Sequence, residues 1–198
     1  MQRQAMTGHL AGFQRVAASP AGLKAAAVAV CVVTQDGTPG LLITQRADTL
    51  RSHAGQWALP GGRREPGESP EDAARRELHE ETGVPVGPGE VLGLLDDYVT
   101  RSGYLITPVV VWGGPADPAM RGPESEVAGI HVIPLADFDV EPRLVRIPES
   151  TAPVIQLPLF GDYLHAPTAA IIYQFCQVAL HGHLVRVAHF EQPVFAWK

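Results

Sequence analysis

Apolar residues recur along this chain with two different periods, and the switching between them predicts a mixed α/β fold. Residues 25–34 form an almost unbroken apolar run and 41–45 a shorter one. QDGTPG, dense in turn formers, separates them, so a β-hairpin is expected. Residues 91–100 and 104–112 read as two further strands joined through Arg101, Ser102 and Gly103, and 127–133 as another that ends at Pro134. Arg143–Ile147 and 154–157 are shorter, proline-punctuated strand candidates. The period lengthens twice. A helix is expected from Pro70 to Thr82, because Ser69 suits an N-cap, Pro70 the first helical position, and Glu71 and Asp72 the positive end of the helix. Asp72 is placed to close a capping box with Ser69. Gly83 supplies a left-handed stop and Pro85 blocks resumption. PTAAIIYQFCQVAL, from Pro167, reads as a second helix with proline at its start.

The first helix carries chemistry that its stability does not need. At about 100° per residue, Glu77, Glu80 and Glu81 fall near relative angles of about 0°, 300° and 40°, so three carboxylates share one face. Like charges at these spacings repel and weaken a helix. A hard divalent cation resolves the conflict, since Mg²⁺ divides its shell between carboxylates, water and substrate phosphates. A solvated acidic face, partly neutralised by Arg75 and Arg76, is the bland alternative. Upstream, LPGG at residues 59–62 supplies a tight turn whose glycines let backbone groups approach a ligand.

Gly62, Glu68, Arg76, Glu77, Leu78, Glu80, Glu81, Gly83 and Val84 stand at the spacing G-x5-E-x7-R-E-U-x-E-E-x-G-U, with U aliphatic. This resembles the complete box of the Nudix hydrolase family. The resemblance implies an α/β/α sandwich around a mixed β-sheet, and a metal-dependent attack of water on a phosphoanhydride of a nucleoside diphosphate linked to another moiety. It also implies Mg²⁺ or Mn²⁺ as cofactor. Glu80 and Glu81 are then the principal metal ligands, Glu77 a ligand or an activator of water, and Gly62 the source of a backbone carbonyl ligand. Arg76 and Glu68 resemble the family's orienting ion pair. In PESEVAGIHVIPL, Glu126 resembles the downstream acid that often completes such sites, with Glu124 as its competitor.

The stretch from Leu42 narrows the resemblance. Thr44, Arg46, Ala47, Arg51, Gly55, Pro60, Gly61 and Gly62 match the extra signature of the coenzyme A pyrophosphatases, LLTxR(S/A)x3Rx3Gx3FPGG. Ile43 and Leu59 depart from it, Leu59 in place of the signature's phenylalanine. That subgroup cleaves coenzyme A and its derivatives into 3',5'-ADP and 4'-phosphopantetheine species. Arg46 and Arg51 are the candidate contacts to substrate phosphate, because a guanidinium fork suits phosphate oxygens. Their structural alternatives are a surface charge or an ion pair with Asp48 or a box glutamate.

Composition limits the partners. A chain of 198 residues can bury an adequate core as one domain, here 1–198, with 1–22 as an N-terminal helical extension. The net charge of −6 argues against broad attraction to nucleic acid or to an anionic membrane, so local arginines and metal must manage an anionic substrate. No apolar run approaches the roughly 18 residues of a membrane-spanning helix. The first 24 residues lack acids and faintly resemble a transit peptide, but without a signal-peptide core the expected location is the cytoplasm. Cys31 and Cys176 are isolated, which supports neither a disulfide framework nor a zinc motif. Trp57 and Tyr98 are assigned to packing ahead of base stacking, His53 to a loop role, and His181, His183 and His189 to the surface. His165 is a candidate to approach the substrate. The Gly- and Pro-rich segment 113–123 is a candidate mobile loop at the entrance.

Overall fold

The computed structural model describes residues 2–19, 22–47 and 55–197. Arg51 and His53 lie outside the described residues. Helix α1 (Gln2–Gly12) leads into β1 (Lys24–Gln35), β2 (Thr38–Arg46), β3 (Trp57–Ala58), β4 (Gly61–Arg63) and α2 (Pro70–Thr82). After them come β5 (Val91–Leu94), β6 (Tyr98–Val99), β7 (Tyr104–Pro115), β8 (Val127–Pro134) and the short α3 (Leu135–Phe138). Strands β9 (Arg143–Ile147), β10 (Ser150–Leu159) and β11 (Asp162–His165) precede α4 (Thr168–Phe175).

The mixed sheet is built on β1, which runs parallel to β7 and antiparallel to β2 and β4. Its unbroken apolar run follows from burial on both faces. Ala27, Ala29, Cys31 and Val33 pack with Ala73, Ala74 and Leu78 of α2, whereas Val30 and Val32 join the opposite core with Phe175 and Ile172 of α4. The β1–β2 hairpin opens beyond Val32 and Leu41, and the next segment fills the fork. Trp57 and Ala58 pair with Gln45 and Thr44, and Gly61 to Arg63 pair with Val28 to Ala26. The LPGG turn is therefore the bridge between two short strands.

Helix α2 begins and ends where expected. Ser69 Oγ accepts from the Asp72 backbone N–H at 3.1 Å and donates to Asp72 Oδ2 at 2.7 Å, a side-chain variant of the reciprocal cap. Gly83 closes the helix at φ 74°, in the left-handed region.

Other expectations change. The strand expected over 91–100 is broken into β5 and β6 because Asp96 and Asp97 turn inward and hold the N-terminal segment. Asp96 Oδ1 accepts from Val16 N and Arg186 Nη1, each at 2.6 Å, and Asp97 accepts from Arg15 Nη2, Ala18 N and Thr107 Oγ1. The helix begun at Pro167 stays α-helical only to Phe175 and widens into a π turn over Cys176–Leu180. A second sheet, β9–β10–β11, turns through Phe160 and Gly161, both at positive φ. No helix among the described residues is long and apolar enough to cross a membrane.

Candidate active site

The C-terminal half of α2 and the bridge strand β4 meet over the acidic helix face. In an antiparallel ladder the bonded positions alternate. Ala29 N donates to Pro60 O and Arg64 N to Ala25 O, which puts Gly62 in the bonded position opposite Ala27 and turns Gly61 away from β1. Gly61 N accordingly donates to Glu81 Oε2 at 3.3 Å. The backbone carbonyl free to face the carboxylates is thus that of Gly61; the ladder occupies the carbonyl of Gly62, expected from the sequence as the ligand. Gly62 is glycine for another reason, since a Cβ there would run into the Glu77 carboxylate.

The three helix acids differ in burial: Glu81 is buried, Glu77 half-buried and Glu80 exposed, with Glu77 and Glu80 sharing Arg76 Nη1. Glu81 is 8% exposed, and burial, reinforced by the charge of Glu77, pushes its pKa up to about 7. Burial also raises Glu77, against the lowering influence of Arg76. Glu80 keeps 55% of its side chain exposed and reaches Arg76 Nη1 at 3.1 Å, so it points along the helix surface. Arg76 organises the group. Its Nε and Nη2 grip Glu68 at 2.9 and 3.1 Å, its Nη1 also reaches Glu77 at 2.8 Å, and its Nη2 donates to the carbonyl of Arg63. That fork holds the Glu68 carboxyl below its ordinary range.

Glu126 is exposed, and its backbone carbonyl accepts from Ala47 N at 2.9 Å. Its charge adds slightly to the upward shifts of both Glu77 and Glu81. Glu124 is exposed in the preceding turn. Segment 113–123 crosses the end of α2, where a Cβ on Gly122 would collide with the carbonyl of Glu81.

A cleft of about 630 Å³ opens from these residues. Val28, Gly61 and Ile106 are on its sheet side, His165, Ile171 and Phe195 on its far side, and Arg46 and Glu81 at the carboxylate end. Arg46 is half-buried, its Nε has no hydrogen-bond partner among the described residues, and its charge opposes the upward shift of Glu81. Trp57 lines the cleft and packs edge-on against His131 at 4.9 Å. Tyr98 is a packing residue, with its hydroxyl donating to Phe190 O. His181 and His183 stack at the surface, bonded to Asp139 and Gln177, and His189 lies against Phe190. Both cysteines are buried free thiols.

Among the described residues no three acids or imidazoles gather closely enough to cage a metal. The donors fit an open cation site instead. Among the described residues, Arg76 beside Glu77 and Arg46 toward Glu81 are the cations that act on the pair, and the Gly61 carbonyl is available beside them. Hard oxygen donors of this kind suit Mg²⁺ or Mn²⁺ with the remaining positions left to water and phosphate.

Residues 23–155 match the NUDIX domain family. The chain is a member of that family. Two proteins described as "Uncharacterized Nudix hydrolase NudL", from Yersinia pestis (strain Pestoides F) and Yersinia pseudotuberculosis serotype O:1b (strain IP 31758), are each 46% identical to this NUDIX chain over 98 residues, 49% of either length. The chain spans about half the length of the curated relatives it matches. Among solved structures, a MutT/nudix family protein from Enterococcus faecalis aligns with 83% of this chain and 65% of its own at 18% identity and a TM-score of 0.53, which shows the fold. The NUDIX domain of Shewanella oneidensis NrtR, crystallised with ADP ribose, aligns with 66% of this chain and 83% of its own at 27% identity and a TM-score of 0.45. The cleft residues His165, Ile171 and Phe195 fall beyond the NUDIX match. Of these the sequence singled out only His165, because strand or helix period carries no signal for a wall assembled from distant segments.

Proposed function

We propose that this NUDIX chain hydrolyses the diphosphate linkage of coenzyme A or its derivatives, in the cytoplasm, releasing 3',5'-ADP and 4'-phosphopantetheine species. Arg46 carries the reading. It belongs to the coenzyme A signature, and its guanidinium lies at the junction of the carboxylate cluster and the cleft with its buried Nε unpaired among the described residues. A buried N–H without a partner is costly, and a substrate phosphate oxygen satisfies it. The apolar floor and far wall suit the pantetheine arm.

Glu77, Glu81 and the Gly61 carbonyl would hold Mg²⁺ or Mn²⁺, with Glu80 joining after release from Arg76. The ion, when bound, neutralises phosphate oxygens and lowers the pKa of water. Arg76 and Glu68 orient the helix acids, Arg46 binds the diphosphate, and Glu126, whose charge acts on both Glu77 and Glu81, is the candidate proton acceptor. Arg51 retains its candidacy for phosphate contact on the signature alone.

The test is product analysis on a panel of coenzyme A, ADP-ribose, a dinucleoside polyphosphate and an oxidised nucleotide with Mg²⁺ or Mn²⁺. Coenzyme A is expected to give 3',5'-ADP. Intact coenzyme A beside rapid turnover of another member assigns the chain to a different nucleotide, and binding with no bond cleaved anywhere assigns it to a ligand sensor.

A further inference from the structure

The cleft has a second polar end that diphosphate cleavage does not use. Tyr104 opens β7 opposite Lys24, while Arg63 of β4 is paired with Ala26, one alternation along the same strand. Paired residues share a sheet face. Lys24, Arg63 and Tyr104 therefore stand on the face of Val28 and Gly61, and Arg63 and Tyr104 line the cleft. The Tyr104 hydroxyl accepts from Arg63 Nε at 3.2 Å and Nη2 at 2.7 Å. The Lys24 ammonium lies 5.5 Å from the centre of the same ring.

Arg15, Arg75, Arg76, Arg101 and Arg186 each hold a carboxylate. Among the described residues neither Arg63 nor Lys24 does, although the chain carries a net charge of −6. The acids that line the cleft, Glu81 and Asp162, form no ion pair with either. Of the five N–H donors of a guanidinium, two are engaged by a phenol oxygen whose own proton remains free to be donated. Two neighbouring cations and a free hydroxyl make a site for an anion with several oxygens.

We propose that Lys24, Arg63 and Tyr104 form a phosphomonoester subsite that binds a second, uncleaved phosphate of the substrate. Arg63 supplies a fork suited to phosphate oxygens and Lys24 a point charge, with Tyr104 fixing the fork. The strand sets the spacing. Gly61, which anchors Glu81, and Arg63 are two residues apart on one face, about 7 Å along the strand. A nucleotide with a 3'-phosphate beside its 5'-diphosphate carries two anionic groups; its 3'-hydroxyl counterpart carries one. Naming the 3'-phosphate of coenzyme A as the occupant rests on the proposed function, while the subsite itself does not.

Calorimetric titration of the full chain with 3',5'-ADP and with 5'-AMP, without added divalent ion, separates the two. The parent is expected to prefer 3',5'-ADP, and Arg63→Ala to lower that preference by about tenfold, the effect of a charge-assisted hydrogen bond. Lys24→Ala is expected to lower it less, and provides the same reading if Arg63→Ala unfolds. Equal affinity for both probes in the parent overturns the subsite. So does a preference unchanged in the variants, including weaker binding of both probes in equal measure, which marks a structural role. A lowered preference in a protein that leaves coenzyme A intact keeps the subsite and removes the coenzyme A reading; cleavage of coenzyme A with an unaltered preference does the reverse.

Discussion

Glu81 is where folding and chemistry oppose each other. Its folded pKa, about 7, stands above the ordinary 4.5, chiefly through burial. A carboxyl with a raised pKa contributes stability below its unfolded value and loses it as pH climbs through the folded one. Metal-free protein should therefore lose stability between about pH 4.5 and 7, by on the order of 3 kcal/mol if Glu81 alone is responsible. Glu81→Gln removes the charge at nearly constant size. Chemical denaturation across that range should give a flatter profile for the variant and higher stability than the parent at pH 8, while turnover falls by about a hundredfold or more. A variant with parental turnover would take Glu81 out of the site. Since a cation and a proton compete for the same carboxylates, Mg²⁺ should raise the melting temperature at pH 8 and hardly at pH 5. Equal shifts at both values would place the ion elsewhere. Spacing puts the three acids on one helix face, but the exposure of Glu80 beside a buried Glu81 could not be read from it. Helical angle fixes where a side chain starts, and Arg76 decides where it ends.

At the scale of elements, the two glycines of β4 separate support from chemistry. A Cβ on Gly61 would strike the carbonyl of Ala27 and the backbone of Val28, neither of which can yield, whereas one on Gly62 would meet the movable end of Glu77. Gly61→Ala should cost about 1–3 kcal/mol in urea unfolding. Gly62→Ala should keep more of the stability and lose roughly tenfold or more in kcat through a displaced carboxylate. The opposite ranking would mean that the strand faces are misassigned. The bounds of α2 could be read from Ser69, Pro70 and Gly83 because a helix announces its ends in local chemistry. The β3–β4 bridge could not, since strands of two and three residues have no period to show. Which glycine carbonyl of the turn is free is hidden for the same reason, because only the ladder decides it.

Across the whole molecule, α2 covers one face of the sheet, and α1, α4 and the second sheet cover the other. The N-terminal segment is fastened by Asp96 and Asp97, whose side chains are 5% and 4% exposed. Arg15→Ala leaves Asp97 with Thr107 and a backbone N–H but no cation, and should cost about 1–3 kcal/mol in a denaturant titration without changing substrate preference. An unchanged midpoint would reduce that bond to a surface contact. None of this fastening was legible, because Arg15, Asp97 and Arg186 are far apart in sequence and joined only by the fold.

The far wall of the cleft has the same long-range origin. Phe195 stands edge-on to His165 at 5.3 Å, on a turn steadied by Arg101, which pairs with Glu191 and lies 5.0 Å from the Trp197 ring. The scissors and the glove thus come from different stretches of polypeptide. Substitutions drifting into the last forty or so positions can retailor which molecule is grasped while the cutting edge stays as it is, so close kin of this chain would be expected to share a blade and differ in grip.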